Sequence, residues 1–135
     1  MYSVSINGKE IGIGFGKDER ENPNYDAELE VLNKWVNLFN DRYTTNEFKI
    51  VQKATDYTTL VLRDYDFLRL KYSPRAKWIK LPMFNDMIKK YIDDDRFAAQ
   101  KKKTEMYWKT IIEDEKDISN YFDILDDAFD NITRQ

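Results

Sequence analysis

The chain has 135 residues, about the length of one domain, and its 41% hydrophobic and 15% aromatic side chains suffice for a buried core. It contains no cysteine and no histidine, which excludes disulfides, zinc–thiolate and iron–sulfur sites, thiol nucleophiles and Ser-His-Asp triads. The net charge of −3 is unevenly spread, because residues 69–109 carry +7 whereas residues 1–68 and 110–135 carry −4 and −6.

The N-terminal third predicts a hairpin followed by a helix. Residues 1–16 favour a hairpin, because Val4 and Ile6 precede Asn7-Gly8, a dipeptide typical of type I′ turns. Residues 24–43 favour a helix, since apolar residues recur there at steps of three and four. These residues are Tyr25, Leu29, Leu32, Val36, Phe39 and Tyr43.

The rest of the chain predicts strands first and helices later. Residues 47–82 favour a β-meander of short strands, and residues 83–103 favour short helices. A further strand is expected at 105–112, and a C-terminal helix at 115–133, where apolar residues again follow helical spacing. We predict a single α+β domain over residues 1–135, with an antiparallel sheet of about six to seven strands and two long helices packed on it.

Cellular context and chemistry are bounded mainly by what the sequence lacks. It has no run of about 20 apolar residues, the length that a membrane span needs, and no basic and apolar start typical of a secretory signal. We therefore expect a cytoplasmic protein without a membrane partner. Since the commonest general base and the commonest metal ligands are missing, we expect no enzyme, no metal site and no cofactor. The oligomeric state is left open.

One stretch, FLRLKYSPRAKWIKLP at residues 67–82, alternates apolar and basic side chains in two runs. Successive side chains of a strand point to opposite faces. Alternation puts on one face Leu68, Leu70 and Tyr72 of the first run and Lys77, Ile79 and Leu81 of the second. It puts on the other face Phe67, Arg69, Lys71, Trp78 and Lys80. If the leucines and Ile79 line the core, the open face displays an aromatic ring among cations.

The first functional hypothesis is a non-catalytic module that binds nucleic acid, since unpaired bases stack on exposed rings and phosphates attract cations. A second basic segment, residues 96–109, contains a lysine triplet. The predicted binding residues are Arg69, Lys71, Arg75, Lys77, Trp78, Lys80, Lys101, Lys102 and Lys103. The alternative interpretation is structural: Trp78 packs beneath a helix, and the cations form an ordinary solvated surface.

Two further hypotheses remain open. The second is a phage-encoded inhibitor that binds a host defence protein through an acidic surface of the C-terminal helix. Its predicted partner-binding residues are Asp123, Asp126, Asp127 and Asp130. The third is a Mg²⁺-dependent nuclease using Glu47 and Lys49 of an E-x-K triplet, with an upstream carboxylate. The candidates for that carboxylate are Asp26, Glu30 and Asp41.

Residues 57–133 resemble the YjbR/MmcQ-like domains, small bacterial proteins similar to frataxin in fold, and also short modules of uncharacterised bacterial and phage proteins. The resemblance is carried by a strand ending in Leu70-Lys71, a late strand with Trp108-Lys109, and Ala128-Phe129 near the end of a closing helix. It implies an α+β sheet-and-helix domain with a binding role, for which DNA is the usual suggestion. It implies no catalytic residues.

Overall fold

The computed structural model describes the backbone of residues 2–6 and 9–14, and the backbone and side chains of residues 22–45, 47–52 and 56–134. The strands are β1 (Tyr2–Ile6), β2 (Lys9–Gly14), β3 (Phe48–Val51), β4 (Thr58–Leu62), β5 (Tyr65–Tyr72), β6 (Lys77–Pro82) and β7 (Tyr107–Ile111). The α-helices are α1 (Tyr25–Arg42), α2 (Asn85–Tyr91) and α3 (Phe122–Thr133). Two 3₁₀ segments cover Asp95–Phe97 and Glu115–Tyr121.

The strands form one antiparallel sheet in the order β2-β1-β3-β4-β5-β6-β7. β3 to β6 pair with their neighbours in sequence, and β7 joins β6 after α2. β1 pairs with both β2 and β3, so the two strands that α1 connects, β2 and β3, lie on either side of β1. The Asn7-Gly8 turn proposed between β1 and β2, like residues 15 and 16 of the expected hairpin, lies outside the described residues. The α+β class and the antiparallel sheet are confirmed.

The prediction of two long helices is met only in part. α1 has 18 residues, but the expected C-terminal helix divides into a 3₁₀ segment of seven residues and α3 of 12 residues. Ile118 and Tyr121 are both buried in the 3₁₀ segment, and their spacing of three residues matches its period. The apolar pattern therefore continues through both segments, although the backbone changes its winding at Phe122.

The expected short helices of residues 83–103 are α2 and a single 3₁₀ turn, and residues 98–103 form turns and loop. Asp94 caps the 3₁₀ turn, because its side chain accepts a hydrogen bond from the Arg96 backbone N–H. None of the helices within the described ranges combines the length and the apolar character that crossing a bilayer requires.

The hydrophobic core lies between one face of the sheet and the helices. Apolar side chains of α1 and α3 are buried together with inward-facing residues of β3 to β7. At its centre the rings of Phe39, Phe48 and Phe67 lie 5.3 to 5.9 Å apart between centroids. α1 and α3 pack on the same face of the sheet, and within the described ranges no helix lies on the opposite face.

A bulge in β5 corrects the predicted side-chain alternation. The register between β4 and β5 shifts at Leu60/Val61, and Phe67 has no cross-strand partner there. Phe67 and Leu68 therefore both enter the core, whereas alternation had put Phe67 on the open face beside Arg69. The same shift brings Asp66 to the open face, opposite Val61 and on the same side as Arg69.

Candidate functional site

A row of three cations crosses the face of the sheet that points away from α1 and α3. Arg69 of β5 lies opposite Lys80 of β6, and Lys80 lies opposite Lys109 of β7. Their neighbours Leu70, Ile79 and Thr110, one position along each strand, are buried on the helix side. Arg69, Lys80 and Lys109 are called the cationic row below. Alternation in three adjacent strands thus places three positive side chains at directly opposed positions on one face.

An aromatic and apolar row lies beside the cationic row. Lys71 lies opposite Trp78, and Trp78 lies opposite Ile111. Trp78 is half-buried, and Ile111 is 69% exposed although it is a large apolar residue. The alternative interpretation placed Trp78 beneath a helix. In the structure, Trp78 instead faces away from α1 and α3.

Arg69 is fixed in place by its neighbours. Its guanidinium donates two hydrogen bonds to Asp66 Oδ2, at 3.0 and 3.1 Å. It also lies 3.8 Å from the ring centroid of Tyr107 and 5.5 Å from that of Tyr57. The Tyr107 hydroxyl donates to the backbone oxygen of Asp66 at 3.1 Å, and burial raises the pKa of Tyr107 to about 12. Arg69 thus packs against the rings of Tyr57 and Tyr107, and Asp66 partly neutralises its charge.

The lysines of the face are not neutralised in this way. The Nζ atoms of Lys80 and Lys109 lie 5.4 and 5.1 Å from the ring centroid of Trp78, and Tyr57 lies 5.8 Å from the same ring at an angle of 55°. Among the described residues, no carboxylate lies within ion-pair distance of Lys71, Lys80 or Lys109. The aromatic–basic face consists of Tyr57, Arg69, Lys71, Trp78, Lys80, Tyr107, Lys109 and Ile111.

The other predicted binding residues lie apart from this face. Lys77 is on the helix side of β6 with its Nζ 5.1 Å from the Tyr72 ring, and Arg75 is exposed in the β5–β6 turn. Lys103 Nζ donates to the backbone oxygen of Phe97 and lies 4.7 Å from the ring of Trp108, which is on the helix side. Lys77 and Lys103 therefore do not lie on the face that carries Trp78, and their predicted role in nucleic-acid binding stays a prediction.

Exposed Lys101 and Lys102 follow Gln100, whose side chain accepts a hydrogen bond from the Lys109 backbone N–H at the free edge of β7. The loop thus begins at the border of the aromatic–basic face. Sequence reasoning left Lys109, Tyr57 and Tyr107 out of the predicted site. The alternation around buried Trp108 was the signal that could have placed Lys109 and Tyr107 on the open side of β7.

The aspartates of α3 are mostly paired within the chain. Asp123 accepts hydrogen bonds from Arg96, Asp126 accepts them from Arg42 and Tyr43, and Asp127 accepts them from Lys90 and Tyr91. The closest contacts are 2.8 Å for Asp123, 2.6 Å for Asp126 and 2.5 Å for Asp127. Within the described part of the chain, the Asp130 side chain has no such partner. Four aspartates were expected to form an exposed acidic row. Among the described residues, only Asp130 of these four has no cationic partner.

Acid should destabilise the fold through two of these pairs. The guanidinium groups of Arg96 and Arg42 hold the pKa of Asp123 and Asp126 below their ordinary value of 3.8. A carboxyl with a depressed native pKa stabilises the fold above its unfolded pKa, and that contribution is lost as the pH falls through the native pKa. We expect the urea midpoint to fall as the pH is lowered below about 4, and Asp126→Asn to reduce that fall. Asp130→Asn is the matched control, and an equal fall in all three proteins would refute the assignment.

Glu47 of the nuclease hypothesis is engaged by an arginine. Its carboxylate accepts a hydrogen bond of 2.8 Å from Arg63 Nε, and this contact lowers the pKa of Glu47. Asp26, Glu30 and Asp41 lie on α1. Across residues 22–45, 47–52 and 56–134, no three carboxylates are grouped so that they could hold a metal ion.

Glu28 is a fully buried carboxylate on the helix side, which sequence reasoning did not single out. Its Oε1 accepts hydrogen bonds from Asn22 Nδ2 at 2.6 Å and Thr58 Oγ1 at 2.8 Å, and its Oε2 accepts one from the Tyr72 backbone N–H at 2.8 Å. Burial raises the pKa of Glu28 above its ordinary value, against the opposite effect of the three donors. These contacts tie α1 to β4 and β5, which is a structural role.

Comparisons with protein-family models, with curated proteins and with solved structures find no match to this chain. The resemblance of residues 57–133 to YjbR/MmcQ-like domains therefore stays a prediction. Function has to be inferred from the geometry of the aromatic–basic face.

Proposed function

We propose that this chain is a non-catalytic module that binds nucleic acid through the aromatic–basic face. The observation that carries the proposal is the cationic row. Like charges placed directly opposite each other destabilise a sheet, so the Lys80–Lys109 pair is unfavourable in the free protein, and the Arg69–Lys80 pair adds less because Asp66 partly neutralises Arg69. A bound polyanion removes that repulsion, because its phosphates lie between the cations and release their own counterions.

The chemistry of the remaining side chains supports the same ligand. Three lysines of the face have no carboxylate partner among the described residues: Lys71, Lys80 and Lys109. They lie next to Trp78 and Ile111. Phosphate contacts supply affinity without sequence preference, and rings supply stacking surfaces for any base. A module of this kind binds nucleic acid with little sequence preference.

Salt should weaken this binding steeply. With three or four neutralised phosphates, affinity is expected to fall between 50 and 200 mM salt by roughly 20- to 50-fold for a single strand and by roughly 40- to 150-fold for a duplex. Fluorescence polarisation with labelled single-stranded and double-stranded oligonucleotides measures the slope. Lys109→Gln should make the slope shallower by about one phosphate contact, whereas Lys89→Gln on α2 should not change it. Affinity that is independent of salt would contradict the proposal.

The inhibitor and nuclease hypotheses receive less support from the geometry. Arg96, Arg42 and Lys90 already occupy three of the four aspartates that an acidic partner-binding surface would need. Glu47 is held by Arg63 at a distance typical of a charge-assisted hydrogen bond. Both hypotheses stay untested predictions, and nucleic acid is the ligand that the free charges fit best.

A further inference from the structure

Trp78 and Ile111 form the apolar part of the aromatic–basic face, called its apolar centre below, with Lys71 on the β5 side and Lys80 and Lys109 two residues away along β6 and β7. Trp78 and Ile111 face each other across β6 and β7, and Tyr57 adjoins Trp78. The isoleucine is 69% exposed beside a half-buried tryptophan, so a ligand that covers both side chains would remove apolar surface from water. A surface built only to attract phosphates would have no use for this apolar centre.

Single strands and duplexes present different chemistry to such a surface. Bases of an unpaired strand expose their flat apolar faces, whereas a duplex keeps those faces inside its stack and exposes phosphates and base edges. Strands lie about 4.8 Å apart, so the three steps from β4 to β7 span roughly 14 Å, more than the roughly 12 Å of the DNA major groove. The face is therefore too wide to enter the groove and read base edges.

The two lysines over Trp78 are placed to follow a stacked nucleotide. Lys80 and Lys109 lie opposite each other, and each Nζ lies within 5.4 Å of the ring centroid. The ammonium groups gain little from a ring that is still open to solvent on one side, so a base can displace them at small cost. Their flexible stems can then carry the ammonium groups to the phosphates on either side of that base.

We infer that the face selects single-stranded over double-stranded nucleic acid by stacking an unpaired base on Trp78. The inference rests on the proposed function and names its ligand class. Phosphate contacts alone would attract both forms, so the preference for single strands comes from the apolar centre. Single-stranded DNA and RNA share this chemistry, and the experiment separates them.

The test compares wild type, Trp78→Leu and Trp78→Phe against oligo-dT, oligo-rU and a DNA duplex of equal length, with fluorescence polarisation at low salt. The affinity of the wild type for each single strand should be at least about 10-fold higher than its affinity for the duplex. Trp78→Leu should lose roughly 10-fold in single-strand affinity while duplex affinity changes less than about 2-fold, and Trp78→Phe should keep most of the single-strand affinity. Circular dichroism checks that each variant is folded.

Intrinsic fluorescence gives a second readout. The chain has three tryptophans, and Trp35 and Trp108 are only 2% and 0% exposed. Quenching by a single-stranded oligonucleotide should therefore report on Trp78 and should disappear in Trp78→Leu. Equal affinity for both forms, unchanged in Trp78→Leu, would overturn the inference and leave the proposed function intact. Absence of binding to every oligonucleotide at low salt would overturn the proposed function itself.

Discussion

Reversing the charge at the centre of the cationic row, with Lys80→Glu, is expected to weaken nucleic-acid binding about 10- to 100-fold and to stabilise the free protein. Lys80 lies directly between Arg69 and Lys109, so the substitution replaces the repulsion from Lys109, and the weaker repulsion from the partly neutralised Arg69, by attraction. It also removes one ammonium from Trp78, which offsets part of the gain. The expected net effect is a rise of about 1 kcal/mol in the free energy of unfolding.

Opposite changes in stability and binding distinguish this prediction from ordinary surface mutagenesis. Urea denaturation measures the first quantity and fluorescence polarisation the second. Lys89→Glu is the matched control, because it makes the same change in net charge on α2, away from the aromatic–basic face. Its binding should change far less than that of Lys80→Glu. A Lys80→Glu protein that is less stable than wild type would show that the cationic row is not under repulsion.

Removal of the buried carboxylate, with Glu28→Ala, is expected to lower the free energy of unfolding by about 3 kcal/mol. Three donors lose their acceptor, and the Tyr72 backbone N–H has no substitute. Asn22 and Thr58 are 3.4 Å apart and can partly satisfy each other. Relief of the burial of a charge offsets some of the loss, which keeps the expected effect below that of three fully orphaned donors.

Controls for Glu28 come from the same helix and from pH. Glu30→Ala, on the exposed side of α1 and 4.0 Å from Lys34, should change stability by less than about 0.5 kcal/mol. Because burial raises the native pKa of Glu28 above 4.5, native Glu28 binds more protons than unfolded Glu28 from about pH 4.5 up to the native value. Its contribution to stability therefore falls as the pH rises through that window, and Glu28→Gln should remove this slope. A Glu28→Ala protein as stable as Glu30→Ala would contradict the assigned role.

Much of the fold could be predicted from the sequence because its signals are local. Leu32, Val36 and Phe39 recur at helical spacing and are buried on α1. Strand alternation correctly put Leu70 and Ile79 in the core, because a strand buried on one face repeats every two residues. Strict alternation failed where the β5 bulge added Phe67 to the core, since a bulge leaves no reliable mark in a single sequence.

The candidate site could be predicted only in part, for a reason of distance along the chain. Local alternation indicated that Arg69, Lys71, Trp78 and Lys80 share the open face, and their register confirms it. Local alternation also put Lys77 on the same face as Ile79, which is the core face. The inclusion of Lys77 in the predicted site therefore went against the local pattern. Lys101 to Lys103 were grouped with the face because of their charge alone, and a charge does not indicate on which side of the fold a side chain lies.

What the sequence determined by itself was the class of the fold, the inward and outward faces of β6 and of β5 beyond its bulge, and the presence of a basic middle segment, all of which depend on neighbours a few residues apart. Only the tertiary structure decided that β7 pairs with β6 and so adds Lys109 and Ile111 to the face. It also decided that Asp126 pairs with Arg42, 84 positions away. Such contacts depend on how distant segments pack together, and the hydrophobic pattern of each segment specifies its buried side but not its partner.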